Sequence, residues 1–455
     1  MFLSHVVRVG GLKLGGDYPV RLQSMTRNDT RDVQATTAEC IRAFEAGADL
    51  MRISVPDHAS VKSLRQIKQK LKQSGFSQPL VADIHYHPEL ACEAARIVEK
   101  IRINPGNFDI ARTRDQVVTA GHHQTGWRDS LFLVLRPLIE ICKEHGTAIR
   151  IGLNHGSLPL HLSKRGEQPE KSLVESGIEY LKILESLGFY KTIVSLKTSS
   201  PQSMVTACRT MASRMLAEKM TYPIHIGVTE AGSGFSGRIR SALGIMNLLN
   251  QGIGNTIRVS LTETPEKETV FAKQLKKHAT PGDTVYQISF SRPEARLTIH
   301  SEANDIDSLI ADTVNQYVQF DNKEMVRDVV IDAPETKEKR AIQEITSHLL
   351  QAAGIYAHET TFISCPACAR VSMNMEELVS KVKKQLSGHP GYKIAIMGCM
   401  VNGPGEMTGA DYGFICTGPG RVHVYKRNVP IKKNLVPDEA IKMLKQELSN
   451  PVADI

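Results

Sequence analysis

Cys365 and Cys368 form a C-x-x-C pair, Cys399 follows from a later segment, and Asn402-Gly-Pro-Gly-Glu406 comes a few residues after it. Two thiols at that spacing reach the same side of one turn and can grip a single metal centre. A third thiol then leaves the site one ligand short, with Glu406 and Cys416 as the nearby candidates for the fourth position. An incomplete thiolate set suits a centre where chemistry occurs, whereas four cysteines suit a structural role. The spacing also permits structural zinc or a thiol redox pair. A zinc ribbon normally brings a second C-x-x-C, which Cys399 and Cys416 do not supply; a redox pair needs a helix start, which 369–371 can provide. On spacing alone the iron–sulfur, zinc and redox readings all stay open.

A second set of chemically capable residues lies upstream, one at a time, at the ends of apolar runs. Arg52, Asp83 with His85, Arg102 with Asn104, Arg150 with Asn154, Lys197, Glu230, and Arg258 with Ser260 occupy these places in chain order. The runs themselves, at 20–23, 50–53, 80–82, 100–103, 147–151, 192–196, 224–228 and 256–259, predict strands. Amphipathic segments such as 37–46, 60–72, 90–99, 172–187, 201–219 and 237–251 predict helices between them. Eight such β–α beats predict a parallel (β/α)8 barrel of the TIM type. In that fold functional side chains sit at or just beyond the C-terminal ends of the strands, where these residues stand. Converging arginines and a lysine repel one another unless an anion offsets them, and the planar guanidinium suits phosphate oxygens. The rim therefore reads as a diphosphate or bisphosphate pocket.

Composition sets the outer bounds. The chain has 455 residues, 23% charged and 41% hydrophobic, with a net charge of +8. No apolar run approaches the length of a spanning helix, and the N-terminal residues resemble neither a signal nor a transit peptide, so a cytoplasmic, membrane-free protein is expected. Aromatics are only 5%, and the basic excess is spread along helix faces such as 62–72. That pattern favours a small anionic substrate over nucleic acid. Eight cysteines, with Cys40, Cys92, Cys142 and Cys208 inside predicted elements, do not form a disulfide framework in a chain this long.

Residues 5–15 predict a hairpin turning at glycines, and the βα cadence breaks after Thr262. Strand-like runs at 285–290, 295–300 and 326–331 then alternate with charged helical stretches. The expected organisation is a barrel over 1–265, a small inserted α+β module over 266–340, and an α+β cysteine domain over 341–455. A helix near 341–353 leads into that domain; helices at 376–386 and 437–448 and strands at 393–397 and 421–425 complete it.

Eight motifs together resemble the 4-hydroxy-3-methylbut-2-enyl diphosphate synthase family. They are Gln23-Ser-Met-Thr26, Val81-Ala-Asp-Ile-His85, Arg102-Ile-Asn-Pro-Gly-Asn107, Arg150-Ile-Gly-Leu-Asn154, Gly227-Val-Thr-Glu-Ala-Gly232, Ile257-Arg-Val-Ser-Leu261, Ser364-Cys-Pro-Ala-Cys368 and Gly398-Cys-Met-Val-Asn-Gly-Pro-Gly-Glu406. The resemblance implies a [4Fe-4S] cluster held by Cys365, Cys368, Cys399 and Glu406, leaving Cys416 without a role. It implies reductive ring opening and dehydroxylation of 2-C-methyl-D-erythritol 2,4-cyclodiphosphate, with electrons from reduced ferredoxin or flavodoxin. Arg52, Arg102, Arg150, Asn154, Lys197, Arg258, Ser260 and Asn402 would bind the substrate. Asp83, His85 and Glu230 would lie beside its carbon skeleton, Glu230 managing a proton or stabilising charge.

Two rival readings remain: a barrel lyase or aldolase with Lys197 as Schiff-base amine, and a zinc-stabilised nucleic-acid-binding protein. The cysteine domain must cover the barrel mouth. The structured 266–340 segment favours closure within one chain, and a homodimer with composite sites is the alternative.

Overall fold

The computed structural model describes residues 2–84, 87–106, 127–158, 169–279, 295–320, 326–333, 339–355, 357–366, 371, 373–400 and 403–449. A hairpin of β1 (Val7–Val9) and β2 (Leu12–Leu14) opens the chain. Eight parallel strands follow: β3 (Arg21–Met25), β4 (Leu50–Ser54), β5 (Leu80–Asp83), β6 (Lys100–Ile103), β7 (Ala148–Asn154), β8 (Thr192–Lys197), β9 (His225–Ile226) and β10 (Thr256–Ile257). Their order is β8-β7-β6-β5-β4-β3-β10-β9, and a parallel bridge from Val194 to Ile224 closes the ring. Val7, Val9 and Leu14 of the hairpin pack with Leu50, Val81, Ala148 and Ile193 at the starts of the barrel strands. The hairpin thus plugs the barrel floor and leaves the opposite mouth for chemistry.

The helices are α1 (Val33–Glu45), α2 (His58–Gln73), α3 (Pro88–Ala95), α4 (Trp127–His145), α5 (Pro169–Ser186), α6 (Pro201–Ala217), α7 (Gly234–Leu249) and α8 (Pro265–His278). Their starts carry local signals: Asp32, Asp57 and Ser200 accept backbone N–H bonds as N-caps, and proline opens α3, α6 and α8. β9 and β10 are shorter than the apolar runs 224–228 and 256–259. Beyond Ile226 the backbone leaves the ladder: Gly227 has φ +157° and Glu230 φ +49°. α3 likewise ends at Ala95 rather than 99, because Val98 and Glu99 already lead into β6.

α8 begins where the 1–265 and 266–340 segments meet and packs against α1 and β3. Past it, β11 (Ala295–His300) pairs in parallel with β12 (Val326–Asp332), with α9 (Ile306–Gln319) between them. α9 packs on α7 and α8, so Leu309, Ile310 and Val314 belong to the same apolar core as the barrel. The strand expected at 285–290 lies outside the described residues.

α10 (Lys339–Ala352) crosses α7 and delivers the chain to a five-stranded sheet. This sheet contains β13 (Thr361–Ser364), β14 (Lys393–Met397), β15 (Tyr412–Gly418), β16 (Arg421–Lys426) and β17 (Val429–Leu435), in that order. The first three strands are parallel and the last two add antiparallel. α11 (Met375–Leu386) and α13 (Pro437–Ser449) pack together with the core of Phe362, Ile394, Ile396 and Phe414. The short α12 (Gly403–Glu406) follows β14. Among the described residues no helix is long and apolar enough to cross a membrane.

Candidate active site

Strands β4 to β8 and the end of β10 carry polar residues to the same mouth. Arg52, Asp83, Arg102, Arg150, Lys197 and Arg258 all line one cleft of about 730 Å³, its open mouth included. Asp83 organises two of the cations: its Oδ1 accepts from Arg102 Nη1 at 3.1 Å, and its Oδ2 lies 4.0 Å from Arg52 Nε. Arg102 also donates to the Gly152 carbonyl at 2.8 Å. Arg150 reaches Ser195 Oγ at 3.4 Å.

The positive charge in this bowl exceeds what its carboxylates offset. Burial, with Arg52, Arg102 and Arg258 nearby, pushes the Arg150 guanidinium well below its ordinary pKa. Burial and the same arginine field push Lys197 down as well, and His225 behind them is held neutral for the same reasons. The Nε atoms of Arg150 and Arg258 are buried with no hydrogen-bond partner among the described residues. Buried donors without partners are costly, and an anion in the bowl offsets both the repulsion and the lost hydrogen bonds.

The cysteine domain closes this mouth within the same chain. Cys365, Pro366, Val371, Cys399 and Glu406 form the roof of the cleft whose floor is the arginines. Several contacts hold the roof. Ser364 bridges Ala231 as a strand partner, its N–H donates to the Glu230 carbonyl at 3.3 Å, and its hydroxyl meets Thr262 Oγ1 at 2.6 Å. Arg240 on α7 donates to the Phe362 carbonyl at 3.2 Å, and Arg27 pairs with Glu376 at 2.6 Å. After β7, the turn His155–Ser157 meets α12 backbone to backbone: a Cβ on Gly405 would overlap the Gly156 carbonyl, and one on Gly156 would overlap Gly405.

That close approach lets Asn154 Nδ2 donate to Glu406 Oε1 at 3.1 Å. Glu406 also hydrogen-bonds Glu230, and burial plus this second carboxylate raise the Glu230 pKa well above its usual range. Two carboxyl groups in such contact share a proton. Glu230 holds a left-handed backbone, a conformation that costs roughly 1–3 kcal/mol and persists only where its surroundings enforce it.

Of the residues picked out from sequence, Arg52, Asp83, Arg102, Arg150, Asn154, Lys197, Glu230, Arg258, Ser260, Cys365, Cys399 and Glu406 are brought to one cleft. His85, Cys368 and Asn402 lie outside the described residues. Cys416 points away: it is buried in the C-terminal core, 4.0 Å from the Met375 sulfur, with burial pushing its thiol up to about 12. Asn104 turns to Ser157 at 2.8 Å and supports the loop rather than the cleft.

Sequence reading missed Glu268. It lies in the first turn of α8 and is fully buried. It accepts from Leu261 N–H at 2.8 Å and Ser24 Oγ at 3.4 Å, and stands 3.7 Å from Arg258 Nη2. Burial pushes it up to about 7. Its neighbour Glu266 has the same sequence appearance, an acid at a helix start, so only packing separates them. Lys100, fully buried and bonded to Gln23 Oε1 at 2.9 Å, was also missed; its signal was a lysine in the apolar run with Arg102.

The chain matches the GcpE TIM-barrel domain over residues 4–273 and the GcpE protein C-terminal domain over residues 361–450. It is 35% identical to the 4-hydroxy-3-methylbut-2-en-1-yl diphosphate synthase (ferredoxin) of Prochlorococcus marinus subsp. pastoris, across 96% of this chain and 90% of that one. It is 30% identical to the corresponding synthase (flavodoxin) of Leptospira interrogans, across 95% and 94% of the two chains. For the synthase (flavodoxin) of Akkermansia muciniphila the values are 31%, 96% and 94%. The resemblance carried by the eight motifs therefore extends along almost the whole polypeptide, barrel and cysteine domain alike, and this chain belongs to the GcpE family.

Proposed function

We propose that the cleft converts 2-C-methyl-D-erythritol 2,4-cyclodiphosphate into 4-hydroxy-3-methylbut-2-enyl diphosphate, a step of isoprenoid biosynthesis, using electrons from reduced ferredoxin or flavodoxin. One observation carries the reading: Cys365, Cys399 and Glu406 roof the same cavity that Arg52, Arg102, Arg150, Lys197 and Arg258 floor. Two electrons and a proton enter, a ring carbon–oxygen bond to phosphate and the neighbouring carbon–hydroxyl bond break, a double bond forms, and water leaves.

A [4Fe-4S] cluster held by Cys365, Cys368, Cys399 and Glu406 fits the donor set, since thiolates with one oxygen donor leave a labile position. Gly398 supports the fit, because its N–H donates to Cys365 Sγ at 3.1 Å. A Cβ there would come within 2.5 Å of Val371 Cγ2 and 3.1 Å of Cys365 Sγ. When bound, such a cluster supplies low-potential electrons and a Lewis acid.

The protein's own side chains do the rest. Arg52, Arg102, Arg150, Lys197 and Arg258, with Ser260 and Asn402, hold the diphosphate away from the bonds that break and so fix the carbon skeleton. Asp83 keeps Arg52 and Arg102 aimed at the phosphates, and the role assigned to His85 is at the carbon skeleton. Glu230 carries the proton it shares with Glu406 and delivers it from its carboxyl oxygen to the departing hydroxyl. Asn154 orients Glu406. Residues 1–265 thus bind substrate, 266–340 space the domains and 341–455 hold the cluster, in the cytoplasm. The low pKa of Lys197 would also serve a Schiff-base amine. Membership of the GcpE family disfavours that reading and the zinc-stabilised nucleic-acid-binding one.

The test is anaerobic turnover. Protein purified without oxygen and reduced with dithionite should convert the cyclic diphosphate to the allylic diphosphate, read by mass spectrometry. Absence of product from protein carrying a full complement of iron and sulfide defeats the assignment.

A further inference from the structure

His348 lies on the face of α10 that meets the loop entering β13, and that loop carries His358 and Glu359. Ligand atoms of the three side chains all lie within 4.8 Å of one another. His348 Nδ1 stands 3.6 Å from Glu359 Oε1, and the two imidazoles meet edge to face with centroids 5.0 Å apart. In a tetrahedral site with bonds of about 2.0–2.1 Å, neighbouring ligand atoms stand about 3.3 Å apart, so small rotations bring these three to coordination distance. We propose that His348, His358 and Glu359 form a second metal site, separate from the cysteines, that takes one divalent first-row transition ion such as zinc.

Two features argue for a built site over a chance meeting of side chains. First, the loop is already fastened to the helix one turn beyond His348. Gln351 Oε1 accepts the backbone N–H groups of His358 at 3.1 Å and Glu359 at 3.3 Å, while its Nε2 donates to Thr361 Oγ1 at 2.8 Å. Thr360 Oγ1 continues the clamp by donating to the Leu386 carbonyl at 2.5 Å. The loop therefore holds its two ligands in place before any ion arrives, which lowers the ordering cost of binding. Second, two imidazoles with one carboxylate make up a donor set that suits zinc, cobalt or nickel rather than calcium or magnesium. Lys383 is the nearby cation that opposes a metal; its amine is turned to the Ser233 carbonyl and hydroxyl, both at 3.1 Å.

The position gives the ion a mechanical role. α10 is packed on α7 of the barrel, and Glu359 lies two residues before β13, the strand that ends beside Cys365. An ion there pins the polypeptide where it passes from barrel to roof, without touching the cleft. The proposal does not depend on the reaction assigned above.

The test uses full-length, cluster-loaded protein handled without oxygen, because free cysteines would themselves take zinc. After a chelator wash, zinc is titrated in competition with a chromophoric chelator, and iron, sulfide and zinc are counted by mass spectrometry. One zinc per chain, lost in His348→Gln and in His358→Gln with the iron count unchanged, is the expected result. X-ray absorption at the zinc edge should show nitrogen and oxygen neighbours only. A melting temperature raised by zinc in the parent but not in His348→Gln gives a second readout that does not depend on turnover. No bound zinc in the parent, equal zinc in parent and both variants, or sulfur in the zinc shell overturns the proposal.

Discussion

Asn154 and Glu406, 252 positions apart, are joined by a 3.1 Å hydrogen bond between the rim of the barrel and the roof that covers it. The bond exists because Gly156 and Gly405 bring two backbones into contact with no side chain between them. One chain therefore completes its own cleft, and the placement of Glu406 depends on a contact between domains as much as on its own helix.

That dependence is testable at the glycines. Gly405→Ala should fold and keep its cluster, since the added methyl first meets the Gly156 backbone across the domain contact, but it should hold the roof away from the barrel. Turnover should fall at least tenfold while iron content stays level. Unchanged turnover would show that the contact does not set the active geometry.

Closure within one chain predicts the outcome of subunit mixing. Co-expressed Cys399→Ser and Glu230→Gln chains should yield no recovered activity, because each chain's roof covers its own barrel. Activity rising above that of either variant alone would mean that the roof acts on a partner.

Ligation is read by iron content. Cys365→Ser, Cys368→Ser and Cys399→Ser should each lose the cluster, and Glu406→Ala should weaken it. Cys416→Ser should keep it, with a stability cost of about 1–3 kcal/mol from a hydroxyl placed in the C-terminal core. Loss of iron in Cys416→Ser at full folded yield would reassign the fourth ligand.

The crowded cations predict opposite effects on binding and stability. Arg150→Met should weaken affinity for the cyclic diphosphate by about 1.5–3 kcal/mol, the usual worth of a hydrogen bond to a charged group. The same change relieves repulsion among Arg150, Arg52, Arg102 and Arg258, so the melting temperature of the ligand-free protein should rise by a few degrees. Calorimetry reads the first and thermal scanning the second; a fall in both would make Arg150 a structural residue.

Glu268 sets a stability window in pH. Its carboxyl is raised from an ordinary 4.5 to about 7 in the folded chain, so between those values the folded state holds a proton that the unfolded state has released. Its contribution is fully present below about 4.5 and falls as pH rises to about 7, by roughly 3 kcal/mol at most. Glu268→Gln, which mimics the protonated acid, should match the parent at pH 4.5 and exceed it in melting temperature at pH 8. An unchanged difference between the two across that range would show that Glu268 does not titrate there.

The sequence by itself determined the barrel, because strand and helix periods alternate with a beat that local burial alone can satisfy. It also determined most of the cleft, because parallel strands carry their C-terminal residues to one mouth whatever the loops do. Arg52, Arg102, Arg150, Lys197 and Arg258 were legible for that reason. Tertiary structure decided which acid does what. Glu406 gains its meaning from Asn154 and Glu230, Glu268 from Arg258, and Cys416 loses its place in the cleft by turning into the core beside Met375. No local pattern encodes these differences, since each depends on how densely distant segments pack around a group and so on the cost of keeping it charged.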